Sequence, residues 1–175
     1  STLLIHQVTI KNKYFTVVVF LIAFFATLSC IIGLWTSFTS NPMSILTFLN
    51  EEVILHGNGL YQNDSISVAS QGLAQDAVTL FVAIPLLLYA LKKANNHSIK
   101  GLLLLLGTLG FFLYTYVSYV FLWMLNPLFI VYVILMSGSF FAFVWLFSTI
   151  DLQQLIAVFQ PSLPRKPLGI IQIIL

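Results

Sequence analysis

Four long apolar runs dominate this chain, and each is long enough to cross a lipid bilayer as a helix. They cover about residues 15–37, 66–91, 101–125 and 128–149, and three of the four contain no charged residue. At 1.5 Å per residue the first run forms a helix of about 34 Å, and the hydrocarbon core of a bilayer is about 30 Å thick. The pattern predicts an all-α integral membrane protein with four transmembrane helices.

Composition excludes a water-soluble fold. The chain is 59% hydrophobic and 7% charged, whereas a typical soluble domain is about 25% charged. So few charged side chains cannot cover the apolar surface of 175 residues in water. The expected partner is therefore the lipid bilayer. We expect residues 1–175 to form a single helical membrane domain, with a tail at 152–175 after the last span.

All seven basic residues fall on one side of this predicted topology. They are Lys11, Lys13, Lys92, Lys93, Lys100, Arg165 and Lys166. Because Lys and Arg are enriched in cytoplasmic connections, the asymmetry predicts a cytoplasmic N-terminus and an extracytoplasmic connection between the first two spans. The basic residues are also spread over short connections rather than gathered on one face, so nucleic acid is not an expected partner.

The long connection, together with the start of the second span, carries acidic residues and no basic ones. Residues 42–55 have apolar side chains at helical spacing, which favours an interfacial helix lying on the membrane surface. Asp64 is the predicted N-cap of the second span. Pro85 predicts a kink within that span, because proline removes a backbone hydrogen bond.

Polar side chains recur every four residues along the start of the second span. Ser67, Gln71, Gln75 and Thr79 share one helix face, and Asp76 lies beside them. If this face packs on the third span, polar groups of both helices converge on an outward-facing site. The candidate ligand-binding residues are Gln71, Gln75, Asp76, Thr79, Tyr116, Tyr119, Trp123 and Asn126. The alternative interpretation is an interfacial aromatic belt with polar helix ends.

Asp76 carries a specific expectation of its own. It lies near the outer boundary of the second span, where an unpaired carboxylate is costly to bury. We expect it to accept a hydrogen bond from a Tyr or Trp of the third span or of the long connection. No ionisable residue lies in the middle of a span, which argues against a proton relay or an ion pump built from this chain alone.

Motifs for catalysis or metal binding are lacking. Glu52 and His56 are four residues apart and are the candidates for metal ligands, but the interpretation of a solvated loop is favoured. The His-Glu-x-x-His and Glu-x-x-His patterns, phosphate loops and nucleophile elbows do not occur. The sequence therefore predicts no catalytic residue, no metal and no cofactor. Small residues at Gly107, Gly110 and Gly138 predict close packing of the third and fourth spans.

Three segments resemble a group of bacterial multi-pass membrane proteins. They are YQNDSISVASQGLAQDAVTLFVAIPLLL, LLLLLGTLGFFLYTYVSYVF and NPLFIVYV, within about residues 60–150. No activity is assigned to that group. The resemblance therefore implies a prokaryotic inner (plasma) membrane and transfers no functional residue.

Three functional hypotheses follow. The first is a non-catalytic subunit or an interaction or ligand-sensing module, with other membrane subunits or a second copy as partners. The second is a transporter or channel component, which needs oligomerisation or further helices because four spans without a charge in their middle line a poor pore. The third is an enzyme acting on lipid or quinone at the outer interface, with Asp76, Asp64, Glu52 and His56 as candidate acid, base or ligands.

Overall fold

The computed structural model describes residues 13–150 and Ile170, and four long helices account for most of them. Each is long and apolar enough to cross a membrane, so the four predicted spans are confirmed as helices. The helices are α1 (Lys13–Ser37), α2 (Ile66–Asn95), α3 (Ile99–Phe121) and α4 (Phe129–Ser148). Residues 1–12 and the predicted tail, apart from Ile170, lie outside the described residues.

The helices form a closed four-helix bundle. The most extensive contact is between α3 and α4, α2 packs on α3, and α1 packs on both α2 and α4. Short connections make neighbouring helices antiparallel. One end of the bundle therefore carries Lys13, Lys92, Lys93 and Lys100, and we call it the lysine end. The other carries residues 38–65, the long connection, and we call it the hairpin end.

The long connection contains a β-hairpin rather than a helix, so the predicted surface helix over 42–55 is wrong. Strands β1 (Met43–Leu46) and β2 (Glu52–Leu55) pair antiparallel, with Met43 opposite Leu55. Asn50 between them has a φ of 59°, a left-handed conformation that interrupts a helix and that Asn tolerates. The segment contains several β-branched residues and its apolar runs are short, and such runs do not distinguish a strand from a helix.

The start of α2 also differs from the prediction. Ser65, not Asp64, is the N-cap: its backbone is extended and its Oγ accepts from the Val68 N–H at 3.4 Å. Both residue types cap helices well, so the sequence does not decide between them. The shift by one residue leaves the Asp64 carboxylate available for another element.

Pro85 acts on α2 through a π turn. The backbone N–H of Ile84 bonds to the carbonyl of Thr79, five residues earlier, within the π turn Thr79–Ala83. The proline ring crowds the preceding turn, and widening that turn relieves the crowding. A π turn thus precedes Pro85, and the kink that the sequence predicts there stays a prediction.

Close packing through Gly107 is not found. A Cβ built on Gly107 would meet no described atom within 4 Å, and Gly138 faces Ile22 of α1 rather than α3. Gly110 does face α4, at ordinary van der Waals distance from Phe143. Within the helices the tight positions are Gly101, where an added Cβ would overlap Lys93 of α2, and Gly33 and Gly72, where it would overlap side chains at the hairpin end of the bundle.

Candidate functional site

The carboxylate of Asp76 is buried inside the bundle, with 2% of the residue exposed. Its Oδ2 accepts a hydrogen bond from the Tyr61 hydroxyl at 2.5 Å, and its Oδ1 accepts one from the Tyr119 hydroxyl at 2.9 Å. The predicted hydrogen bond is therefore present in the structure, and it is made twice: by the long connection and by α3. The Tyr61 distance is short and the Tyr119 distance is that of an ordinary O–H···O hydrogen bond. Cys30 of α1 also lies beside it.

Tyr61 reaches Asp76 from outside the helices. It belongs to the short 3₁₀ turn Gly59–Tyr61 and is fully buried. Its ring occupies space left by two glycines: a Cβ on Gly33 would lie 2.9 Å from the Tyr61 hydroxyl, and a Cβ on Gly72 would lie 3.3 Å from the ring. Burial raises the pKa of Tyr61, with Tyr119 and Asp76 adding to the effect, so its hydroxyl stays protonated and donates. Tyr61 thereby closes the hairpin end of the bundle.

The sequence analysis did not single out Tyr61 as a site residue. Nothing in its local pattern distinguishes it from the other tyrosines of an apolar chain. Gly33 and Gly72 are the only signal, and they become informative once α1 and α2 are known to face each other across the connection.

Hydrogen bonds at several further points fasten the long connection to the bundle. The backbone N–H groups of Leu60 and Tyr61 donate to the hydroxyls of Thr36 and Ser37, each at 3.1 Å. The His56 ring is buried, and its Nε2 lies 2.9 Å from the Ser37 carbonyl. Because a carbonyl only accepts, Nε2 carries the proton in this bond.

Asp64 makes the link to the end of α3. It is 3% exposed, and its Oδ1 accepts from the Met124 N–H at 3.0 Å. Burial raises the pKa of Asp64, while the Met124 hydrogen bond and nearby His56 oppose that rise. The carboxylate left free by the Ser65 cap thus ties the long connection to the α3–α4 turn.

The two candidate metal ligands are not brought together for coordination. Glu52 is exposed on β2, whereas the His56 ring is buried against the end of α1. Within residues 13–150, no group of three His, Cys, Asp or Glu side chains could hold a metal ion. The candidate acids and base of the enzyme hypothesis are likewise separated: Asp64 and His56 bond to backbone, Asp76 to tyrosines.

A small pocket of about 170 Å³ lies between α2 and α3 near the hairpin end. Its polar lining includes residues that the sequence placed on two facing helices, and the structure brings them together. The Gln75 side-chain N–H donates to the Thr115 hydroxyl at 2.9 Å, and the ring centroids of Tyr119 and Trp123 lie 4.1 Å apart. The lining residues are Gln71, Gln75, Tyr114, Thr115, Ser118, Tyr119, Leu122 and Trp123.

Four candidate residues lie elsewhere. Asn126 stabilises the α3–α4 turn, where its Oδ1 accepts from the Leu128 N–H at 2.9 Å. Thr79 and Tyr116 are each 1% exposed and belong to the bundle interior instead of the pocket wall. Asp76 is also in the bundle interior. Tyr119 connects it to the pocket, because Tyr119 lines the pocket and donates a hydrogen bond to Asp76.

Polar and apolar side chains divide the bundle interior into two halves. Toward the hairpin end the buried residues include Ser29, Ser37, Asp76, Thr79, Thr115, Tyr116, Tyr119 and Tyr132. Toward the lysine end they are apolar and include Phe15, Val19, Leu87, Leu91, Leu102, Leu105 and Leu146. Two further buried polar residues, Thr108 and Ser139, lie near the middle of α3 and α4, and beyond them the described interior is mainly apolar.

Comparisons of the chain with protein-family models, with curated proteins and with solved structures return no match. The class of protein is therefore defined by the molecule's own features. It is a four-helix bundle whose helices can span a membrane, with a β-hairpin connection packed over one end.

Replacing Tyr61 by Phe tests the role of its hydroxyl. The variant leaves Asp76 buried with one donor in place of two, so we expect the free energy of unfolding to fall by about 1–3 kcal/mol. Tyr114→Phe is the matched control: Tyr114 is 72% exposed, and the loss of its hydroxyl is expected to change stability by less than about 0.5 kcal/mol. Thermal unfolding in one detergent measures both. Equal melting temperatures for the two variants would show that the Tyr61 hydroxyl contributes nothing.

Proposed function

We propose that the chain is a non-catalytic multi-pass membrane protein that binds a small, uncharged, hydrogen-bonding ligand at its hairpin end. The pocket between α2 and α3 carries this proposal. Amide and hydroxyl groups of two helices meet there beside the packed rings of Tyr119 and Trp123. A few convergent polar groups among apolar and aromatic walls are the usual composition of a small-molecule site.

The lining chemistry favours an uncharged ligand. Gln71 and Gln75 each offer an amide, and Thr115 and Ser118 each offer a hydroxyl. None of the lining residues is an Asp, Glu, Lys, Arg or His. The aromatic rings supply a flat apolar surface. A carbonyl- or hydroxyl-bearing headgroup from the adjacent lipid leaflet fits this combination.

The other two hypotheses receive less support. An enzyme needs a convergent acid and base, but Asp64, His56 and Asp76 are each engaged in structural hydrogen bonds. A transporter needs a polar path, but the interior toward the lysine end is lined by leucines and other apolar residues. A role in sensing or holding a ligand, alone or as a subunit of a larger membrane assembly, requires neither.

We place the pocket on the outer side of a prokaryotic inner membrane. The lysines of the described chain lie at the end of the bundle opposite the pocket and the hairpin. Cytoplasmic ends of membrane proteins are enriched in such residues, which supports a cytoplasmic lysine end. The resemblance of residues 60–150 to bacterial membrane proteins supports the choice of membrane.

Cysteine labelling tests this orientation. In a Cys30→Ser background, Asn63→Cys at the hairpin end is expected to react with an impermeant thiol reagent in intact cells. Asn96→Cys at the lysine end is expected to react only after the membrane is permeabilised, and both positions are exposed in the folded chain. The parent without cysteine is the control. Labelling of Asn96→Cys alone in intact cells would reverse the orientation.

Native mass spectrometry of protein extracted in mild detergent tests the pocket. We expect a bound small molecule on the wild-type chain and its loss from Gln71→Leu/Gln75→Leu, since two lost hydrogen bonds weaken binding by about tenfold or more. Gln62→Leu, the same change at an exposed residue outside the pocket, is the matched control and should retain the ligand. A bound mass that persists in the double variant, or that is absent from the wild type, would contradict the proposal.

A further inference from the structure

Four buried hydroxyls in the bundle interior make no hydrogen bond of standard geometry among the described residues, although Ser29 lies near the Tyr116 hydroxyl and Tyr61 near that of Tyr132. They belong to Thr79, Tyr116, Tyr132 and Ser139, each of which is at most 1% exposed. Leaving one buried hydroxyl unpaired costs about 1–3 kcal/mol, and folded proteins seldom leave several together. Several unpaired oxygen atoms in a largely apolar bundle indicate a binding site for a polar partner.

Three of these four residues lie near Asp76 or near its donor Tyr119. Thr79 is one turn further along the buried face of α2. The Tyr132 ring packs edge-on against Tyr119, the donor to Asp76, with centroids 4.9 Å apart. The Tyr116 ring packs against both, at 5.8 Å from Tyr119 and 6.0 Å from Tyr132. Ser139 is two turns further along α4 from Tyr132. Hydroxyl-bearing residues of α2, α3 and α4 (Thr79, Tyr116 and Tyr132) therefore cluster beside Asp76 and its donor Tyr119, whereas Ser139 lies deeper in the bundle, at the level of Ile22.

The charge of the site is unbalanced within the described chain. The groups that face Asp76 from the elements packed around it are Cys30 of α1, Tyr61 of the long connection, Tyr119 of α3 and Tyr132 of α4. None of them is a Lys, Arg or His side chain. A carboxylate buried without a positive partner is costly, and its two tyrosine donors do not neutralise it. Binding of one positive charge would relieve that cost.

We propose that Asp76 and the hydroxyls of Thr79, Tyr116 and Tyr132 form an internal binding site for a small monovalent cation, Na⁺. A single carboxylate with neutral hydroxyl oxygens compensates one charge, whereas sites for divalent cations generally collect several carboxylates. No group of three acidic, His or Cys side chains occurs among residues 13–150. The π turn that begins at Thr79 agrees with this, because π turns within helices often mark functional sites.

Access and coupling follow from the neighbours of the site. Tyr61 covers it at the hairpin end, and apolar residues close it toward the lysine end. The cation therefore enters from the hairpin end when the long connection moves. Tyr119 donates a hydrogen bond to Asp76 and also lines the α2–α3 pocket. A cation at Asp76 and a ligand in the pocket would therefore both act on the Tyr119 hydroxyl. The cation site itself does not depend on the ligand proposed for the pocket.

Thermal unfolding at fixed pH and ionic strength tests the cation site, with NaCl exchanged stepwise for choline chloride. We expect Na⁺ to raise the melting temperature saturably, by roughly 3–5 °C. Asp76→Asn is expected to abolish the rise. Asp64→Asn is the matched control, because it neutralises the other buried carboxylate of the described chain, and its amide oxygen still accepts from Met124. That variant should keep the full Na⁺ response.

Two milder variants keep the test decisive if Asp76→Asn does not fold. Thr79→Val and Tyr132→Phe each remove one oxygen and retain shape, so each should raise the half-saturating Na⁺ concentration by about tenfold. Phe and Val at these positions leave Asp76 intact. Melting temperatures that are equal in Na⁺ and choline would overturn the proposal. So would a stability that varies with pH but not with Na⁺, since the positive charge would then be a proton.

Discussion

The hydrogen bonds of Asp76 hold together the hairpin end of this protein. One carboxylate joins Tyr61 of the long connection to Tyr119 of α3, from its own position on α2. Gly33 of α1 contributes by having no side chain, because a Cβ there would overlap the carboxylate. Four segments that are distant in sequence therefore meet at one charged group. In a bundle with so few charges, such a group is expensive to bury and strongly orients its donors.

The rest of the architecture is consistent with that arrangement. Apolar side chains fill the lysine end of the bundle, where packing alone holds the helices together. Hydroxyls, a carboxylate and a buried imidazole concentrate at the hairpin end, where the connection folds over the helices. The α2–α3 pocket opens beside this polar half, and Tyr119 belongs to both. This division of the interior is one of the observations on which our proposal of a ligand-binding function rests.

Helix-forming runs were readable from the sequence, whereas contacts across the connection were not. Long uncharged runs leave a chain few alternatives to spanning helices, so α1 to α4 were predicted. The four-residue repeat that includes Gln75 predicted a face that meets α3, and Gln75 does bond to Thr115. The hairpin at 43–55 was missed because short apolar runs fit helix and strand equally. Gly107 was misjudged because the sequence does not specify how α3 is rotated, and Tyr61 was missed because its partners lie on other elements.

Hydrogen–deuterium exchange read by mass spectrometry tests most directly whether Asp76 holds the long connection in place. The amides of His56, Leu60, Tyr61 and Asp64 are all hydrogen-bonded in the docked connection. In the wild type we expect residues 56–64 to exchange slowly. In Asp76→Asn they should exchange at least about tenfold faster, since losing part of this network costs about 1.4 kcal/mol or more, while α3 and α4 stay protected. Equal exchange of residues 56–64 in the two proteins would contradict the account.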